Sequence, residues 1–576
     1  MAGPSFLARF INACLWTTFV GHLVATGVRA ADEHPAADLI VTGAQVWTGD
    51  EAQPAAEAVA VWGERVVAVG SNKDVRALRG PKTKIIDAGG RRLVPGFNDS
   101  HVHFFNGGRQ LESVDLRDAA SAEEMARRIG DFARKLPAGE WVVGGNWDDQ
   151  NFDDPTLPTR QHIDRQARDT PVFVARYDGH MGVANSLALK LAGVTAETPD
   201  PEGGRIGRDA DGQPTGILRE SAKHLVERVI PSTTKAQRER YLRAALAHAA
   251  RCGVTSVQTM SCSYENLATL VEVAQAGALT TRVYAAPLET TWRDQAKLGI
   301  RRAFGSHDLR IGALKGFADG SLGSRTAYFF QPYTDEPGNR GLLTDEMLPK
   351  ADMLRRMTGA DAAGLQLCIH AIGDRGISEV LDLFARVEAA NGPRDRRFRI
   401  EHSQHVAPKD FSRYRALGVI ASVQPYHAID DGRWAEQRIG PERAKTTYAF
   451  RTFLDADVRL ALGTDWPVAP LAPMLTIYAA ATRATLDGRR NEGWVPEQKI
   501  TVEEAVRAYT LGSAYAEFQE AEKGTIEVGK LADMVLLSED IFAIDPRDIR
   551  DVHVEMTIVG GKVVWELPKK DRKQAP

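Results

Sequence analysis

Leu93-Val94-Pro95-Gly96-Phe97-Asn98-Asp99-Ser100-His101-Val102-His103-Phe104 decides the fold. It reads as a short buried strand that runs out into a polar His-x-His. Residues i and i+2 of a strand share a face, so His101 and His103 can aim both imidazoles at one point. Imidazole binds Zn, Fe, Ni and Cu. Two surface histidines would look the same in isolation, and the rest of the chain has to choose between the readings.

Working outward, helical patterns alternate with short apolar runs, which argues for βα units around a parallel sheet. Eight runs qualify as barrel strands: Val94–Phe97, Thr255–Met260, Arg282–Ala286, Arg310–Lys315, Gln366–His370, Arg397–Glu401, Val419–Gln424 and Arg459–Gly463. The expected fold class is α/β, a (β/α)8 barrel spanning residues 94–515. One interval breaks the rhythm. Residues 107–231 separate the first two strands, too long for a plain loop. They read as an inserted domain with a helix at Ser121–Leu136, N-capped by Ser121 with Glu124 completing a capping box, and strand-like Glu140–Gly145 and Pro171–Arg176.

Short β-rich runs with Gly turns fill residues 31–93, and matching pieces fill 516–576: Asp533–Leu537, Val552–Val559 and Lys562–Trp565. They predict one β-sandwich built from both ends of the chain. Residues 1–30 carry the three-part pattern of a signal peptide: a positive start, an apolar stretch, and Val28-Arg29-Ala30 before Ala31. Asn12, Thr17, Thr18 and His22 make that stretch a poor permanent span. The expectation is cleavage after Ala30, a periplasmic or secreted protein, and no stable membrane span after cleavage. Cys252, Cys262 and Cys368 form no disulfide framework. A Cys252–Cys262 bridge and a reduced, buried role both fit.

Of the 576 residues, 43% are hydrophobic and 26% charged, the values of an ordinary globular protein, and the formal net charge of -4 excludes a polyanion-binding signature. No nucleic-acid partner is expected.

Active sites of such barrels sit at the C-terminal ends of the strands. There the first strand delivers His101 and His103, the fourth Lys315, the fifth His370, the sixth Glu401-His402, and the eighth Gly463-Thr464-Asp465. Each has a bland reading: a snorkelling lysine, satisfied histidines, an N-capping aspartate. Five strand ends bringing these residue types to one rim favour a metal site.

Those stretches together resemble the amidohydrolase superfamily. The segments Lys315-Gly316-Phe317-Ala318-Asp319-Gly320-Ser321-Leu322-Gly323-Ser324-Arg325-Thr326-Ala327, His370-Ala371-Ile372-Gly373-Asp374 and Gly463-Thr464-Asp465-Trp466-Pro467-Val468 resemble its long-insert YtcJ-like branch, amidohydrolase family 3, which includes N-substituted formamide deformylase. The resemblance implies a barrel plus a β-sandwich. It implies that His101 and His103 bind one metal, that His370 and His402 bind a second, and that a carboxylated Lys315 bridges them. Asp465 would be a ligand and the catalytic acid/base. Two zinc ions per chain, no organic cofactor, a small-molecule substrate and a homodimer are the matching expectations. A mononuclear site of His101, His103, Asp465 and His370 stays open should Lys315 be unmodified.

For substrate contacts, the sequence offers Trp147, Arg176, His180, Asp319, Arg325 and Gln424. His180 reads equally as a loop histidine, and Trp147 and Trp466 equally as core. The expected reaction is hydrolysis of a C–N bond, amide or N-formyl type. Hydrolysis of an ester, lactone or carbamate is the alternative, with a non-catalytic metal-binding homologue behind it.

Overall fold

The computed structural model describes residues 36–568 except 148, 150, 151, 155, 177–180, 202 and 203. The signal-like residues 1–30, the basic tail from Lys569 and His180 lie outside the described residues.

Parallel strands form the barrel in two arcs. One carries Phe97–Val102, Val254–Met260, Arg282–Ala286 and Leu309–Ile311 side by side. The other carries Ala313–Phe317, Gln366–Ala371, Arg399–His402, Ile420–Val423 and Leu460–Leu462. Backbone bridges join them: Leu288 pairs with Lys315, and Val102 with Trp466. The second seam is tight, with Asp465 N donating to His101 O and His103 N to Trp466 O, each at 2.7 Å. These strands are near-continuous apolar runs because helices cover their outer face. Lys235–Arg251 is one such helix, N-capped by Thr234 and burying Leu242, Ala245, Leu246 and Ala249.

Most strand boundaries shift by one or two residues from expectation, and two strands differ more. The fourth strand is split at Gly312, whose φ is +109° and where a Cβ would stand 2.0 Å from Arg301 O. The first begins later, at Phe97 and not Val94. Arg92–Pro95 instead pairs antiparallel with Met534–Leu537, Val94 opposite Val535. The apolar run is shared between two sheets, and Gly96 marks the crossing because Thr255 leaves no room for a side chain there. Val94 and Pro95 therefore lie on the far side of the expected boundary at residue 94.

Outside the barrel, a six-stranded sheet joins both chain ends in the order Lys562–Glu566, Val554–Val559, Met534–Leu537, Arg92–Pro95, Gln45–Trp47, Ala55–Ala56. A four-stranded sheet holds Ala37–Thr42 between Ala58–Trp62 and Arg79–Asp87, with Arg65–Gly70 at its edge. Leu39, Val41, Val59 and Val61 from the smaller sheet pack with Val46, Leu93, Met534 and Ile558 from the larger in one buried cluster. Residues 114–220 supply a further six-stranded sheet with its own core of Met125, Ile129, Val142, Trp147, Ile163 and Val174. Its helix Ala122–Ala133 is capped as expected at Ser121, while Glu124 Oε2 accepts from Ala120 N at 2.9 Å.

Cys252, Cys262 and Cys368 are unbridged. No helix among the described residues is long and apolar enough to cross a membrane.

Candidate metal centre

The barrel seam fixes the first donors. His101 lies on the first strand and is fully buried; His103 follows it and opens the helix Phe104–Leu111. Asp465 Oδ1 stands 3.5 Å from His101 Nε2 and 3.3 Å from His103 Nε2. Asp99 clamps the two strand ends together. It accepts from His101 N at 3.2 Å, Thr464 N at 3.0 Å, Thr464 Oγ at 2.8 Å and Tyr509 OH at 2.8 Å. Gly463 allows the approach, since a Cβ there would meet His101 N at 2.6 Å.

On the other wall, His402 ends the sixth strand, with its ring 4.8 Å from that of His101 and 4.5 Å from that of His370. His402 and Asp465 both adopt left-handed backbone, φ +73° and +62°. Such conformations cost about 1–3 kcal/mol each and persist where the surroundings over-determine them. Lys315 is buried, its Nζ 4.8 Å from the Phe317 ring centroid.

A buried ion pair supports His101 from behind. Glu401 Oε2 lies 2.6 Å from His101 Nδ1, and Glu401 Oε1 lies 2.8 Å from Arg399 Nε. Arg399 also donates to Ser100 O at 2.6 Å, to Ser422 Oγ at 3.0 Å and to Gln258 Oε1. With Nδ1–H held by Glu401, His101 presents Nε2 as its lone-pair nitrogen. The sequence alone gives neither Glu401 nor Arg399 a role; the one signal it carries is their i, i+2 spacing on one strand face.

The electrostatics match a cation site. Burial, then the Lys315 charge, lowers His101 to about 4 and His370 to about 3, and burial lowers His402 and His427. These imidazoles are neutral at neutral pH, the form that ligates. Burial pushes Asp465 up, but His101, His103 and His427 outweigh it and hold it at about 2. Burial likewise raises Glu401, and Arg399 and His101 overcome that and hold it far below the carboxylate range. His101 Nε2 and Asp465 Oδ1 are buried without a hydrogen-bond partner. Orphaned donors of this kind, together with an imidazole–carboxylate set, fit a divalent metal.

The softer candidates sort differently. Trp147 is core: it is fully buried in the insert and its indole N–H goes to Val174 O at 3.0 Å. Asp319 is buried and committed to backbone, accepting from Ile372 N, Gly373 N and Tyr328 N at 2.8–2.9 Å, with Oδ1 3.6 Å from His370 Nε2, so its role is to tie these loops together. Arg325 forms an ion pair with Asp335 at 2.9 Å. Gln424 Oε1 holds His402 Nδ1 at 2.8 Å, so it orients a donor. Arg176 is half-buried and bonded to Asp149 at 2.6 Å.

Burial raises Asp319 to about 7. Its folded pKa lies above the unfolded value near 3.8, so its contribution to stability is full below about pH 4 and lost as pH rises through 7. Urea unfolding of wild type and Asp319→Asn across pH 4–8 is expected to show a stability difference that falls with rising pH. A flat difference would count against it.

Two cavities lie along the insert, and none of the donors lines either. One of about 530 Å³ is lined by Asn106, three residues past His103, and by Pro467, two past Asp465. It shares Arg109 and Asn146 with one of about 770 Å³ between the insert and the helix Lys235–Arg251.

Comparison with known proteins agrees with this geometry. A model described as "Amidohydrolase family" matches residues 84–565. The Arabidopsis thaliana protein LONG AFTER FAR-RED 3 is 36% identical over 96% of this chain and 95% of its own. YtcJ of Bacillus subtilis is 30% identical over 91% and 98%. N-substituted formamide deformylase of Arthrobacter pascens is 29% identical over 92% and 98%. A metal-dependent hydrolase from Pyrococcus horikoshii, described as uncharacterized, superposes with a TM-score of 0.74 at 29% identity, covering 88% of this chain and 99% of that one.

Proposed function

We propose, from the premise that this chain belongs to the amidohydrolase family, that it hydrolyses a carbon–nitrogen bond of a small amide, of the N-formyl or N-acyl type. The observation that carries the reading is the convergence of His101 Nε2 and Asp465 Oδ1, buried and unpartnered, at the C-terminal rim of a barrel. The choice of bond rests on the relative named as a formamide deformylase. An ester or lactone would serve the same groups and is the competing outcome of the test.

His101, His103, His402 and Asp465 would hold the metal, with His370 and Lys315 beside them. When bound, a divalent metal supplies Lewis-acid polarisation of the carbonyl and an activated water. Zinc suits these donors, and two ions with a carbamate on Lys315 between them is the fuller form of the proposal. Burial lowers the pKa of the Lys315 amine, and a carbamate would turn it into an anionic oxygen donor. Asp465, ionised at neutral pH, takes a proton from the attacking water and returns it to the leaving nitrogen. Glu401 and Gln424 keep His101 and His402 in the tautomers that face the site.

The two cavities would take the remainder of the substrate, since the smaller is lined by Asn106 and Pro467, which follow His103 and Asp465, and shares Arg109 and Asn146 with the larger. Ala175→Trp, at the larger one, is expected to lower kcat/KM for N-benzylformamide about tenfold or more and to leave N-methylformamide unchanged; equal effects on both would sink the assignment. The shared cluster of the two outer sheets supports reading them as one β-sandwich from both chain ends, with 107–231 an inserted domain. Export with removal of residues 1–30 completes the proposal, and the N-terminal sequence of the protein purified from its natural source checks it.

The test is turnover of matched N-formyl amines, N-acyl amines and esters by protein before and after chelation. Amide turnover lost on chelation and restored by zinc supports the reading. Ester turnover alone moves the reaction to C–O bonds.

A further inference from the structure

Asp465 is the common member of two donor clusters. It forms one with His101 and His103 and another with His402 and His427, and in each the donor atoms lie within 4.8 Å of one another. His427 enters from the first turn of the helix Pro425–Asp431, which follows the seventh barrel strand. Its ring stacks on that of His402, centroids 6.4 Å apart at 15°. Its Nε2 is buried and without a hydrogen-bond partner, the condition of His101 Nε2 and Asp465 Oδ1. Leaving a buried polar atom unpaired costs about 1–3 kcal/mol, so two such imidazole nitrogens facing an unpaired carboxylate oxygen argue for a shared partner. Gln424 binds His402 Nδ1 and leaves that ring's Nε2 free. His370, by contrast, has its Nε2 engaged with Gly320 O at 3.1 Å.

We propose that His427 is a metal donor, completing with His402 and Asp465 a second two-histidine, one-carboxylate set that shares Asp465 with the first. This rests on the metal-dependent reading above. In this arrangement one carboxylate ties the two halves of the centre together, whether or not Lys315 is carboxylated. Imidazole and carboxylate donors suit zinc, iron(II) or cobalt(II) and not calcium or magnesium, which take oxygen ligands.

The test uses full-length protein, its metal stripped and replaced by cobalt(II). Bound cobalt per chain, affinity by chelator competition, and the visible ligand-field spectrum are measured for wild type, His427→Ala and His427→Gln. Glutamine keeps much of the bulk and is a poor ligand, so it separates donation from packing. Both variants are expected to weaken cobalt binding by about tenfold or more and to alter the spectrum, with wild-type circular dichroism. Variants that match the wild type's cobalt content, affinity and spectrum overturn the assignment while the metal-dependent reading stands. Wild type that takes up no cobalt overturns both.

Discussion

Asp465→Asn is expected to lower kcat/KM for an amide substrate by about 10³-fold, within the range lost with a general acid–base group, and to leave folding intact. Asparagine matches aspartate in size and tolerates left-handed backbone better than most residues, so φ +62° is retained. What changes is charge. The carboxylate 3.3–3.5 Å from His103 and His101 becomes a neutral amide, which can neither accept the proton from water nor return it to the leaving nitrogen. It also removes the anion common to both donor clusters. The loss is expected chiefly in kcat, with bound metal reduced. A variant that keeps more than about a tenth of wild-type kcat would remove Asp465 from the proton path.

The largest stability effect is expected at Arg399. The ion pair Arg399–Glu401 has no exposure on either side chain. Breaking such a pair leaves an uncompensated buried charge and costs about 3–5 kcal/mol. Arg399→Met is therefore expected to lower urea unfolding stability by that amount. It also releases Ser100 O, Ser422 and Gln258, which Arg399 bonds from the first, seventh and second strands. Glu401 would lose the cation that chiefly holds it ionised and with it the geometry that fixes His101. Arg399→Met with Glu401→Leu is expected to recover part of the stability and none of the metal affinity. A single-variant loss under about 1 kcal/mol would mean that Glu401 finds another counter-charge.

The barrel was legible because each strand is a short apolar run ending in polar residues, and that pattern follows from burial on both faces. His101 and His103 were legible for a similar reason, since strand geometry alone puts i and i+2 on one side. What the sequence could not supply was pairing across distance. Arg399 and Glu401 are two residues apart, but the His101 they support lies 300 positions from Glu401. Tyr509 reaches Asp99 over 410 positions, and no local signal marks it. His427 lies in the short helix Pro425–Asp431, whose sequence carries no ligand motif. Trp147 and Asp319 looked like pocket residues because each stands near a strand end. Only packing shows the indole inside the insert core and the carboxylate held by three backbone N–H groups. The first strand was misplaced because one apolar run serves two sheets, and nothing local says where the chain leaves the first for the second.

The most direct test is the metal content of the purified protein measured beside its amide hydrolase activity, through one cycle of chelation and zinc return. Bound divalent metal, amide turnover that disappears with it, and recovery of both on zinc addition are predicted. Amide turnover that survives complete removal of metal would contradict the account.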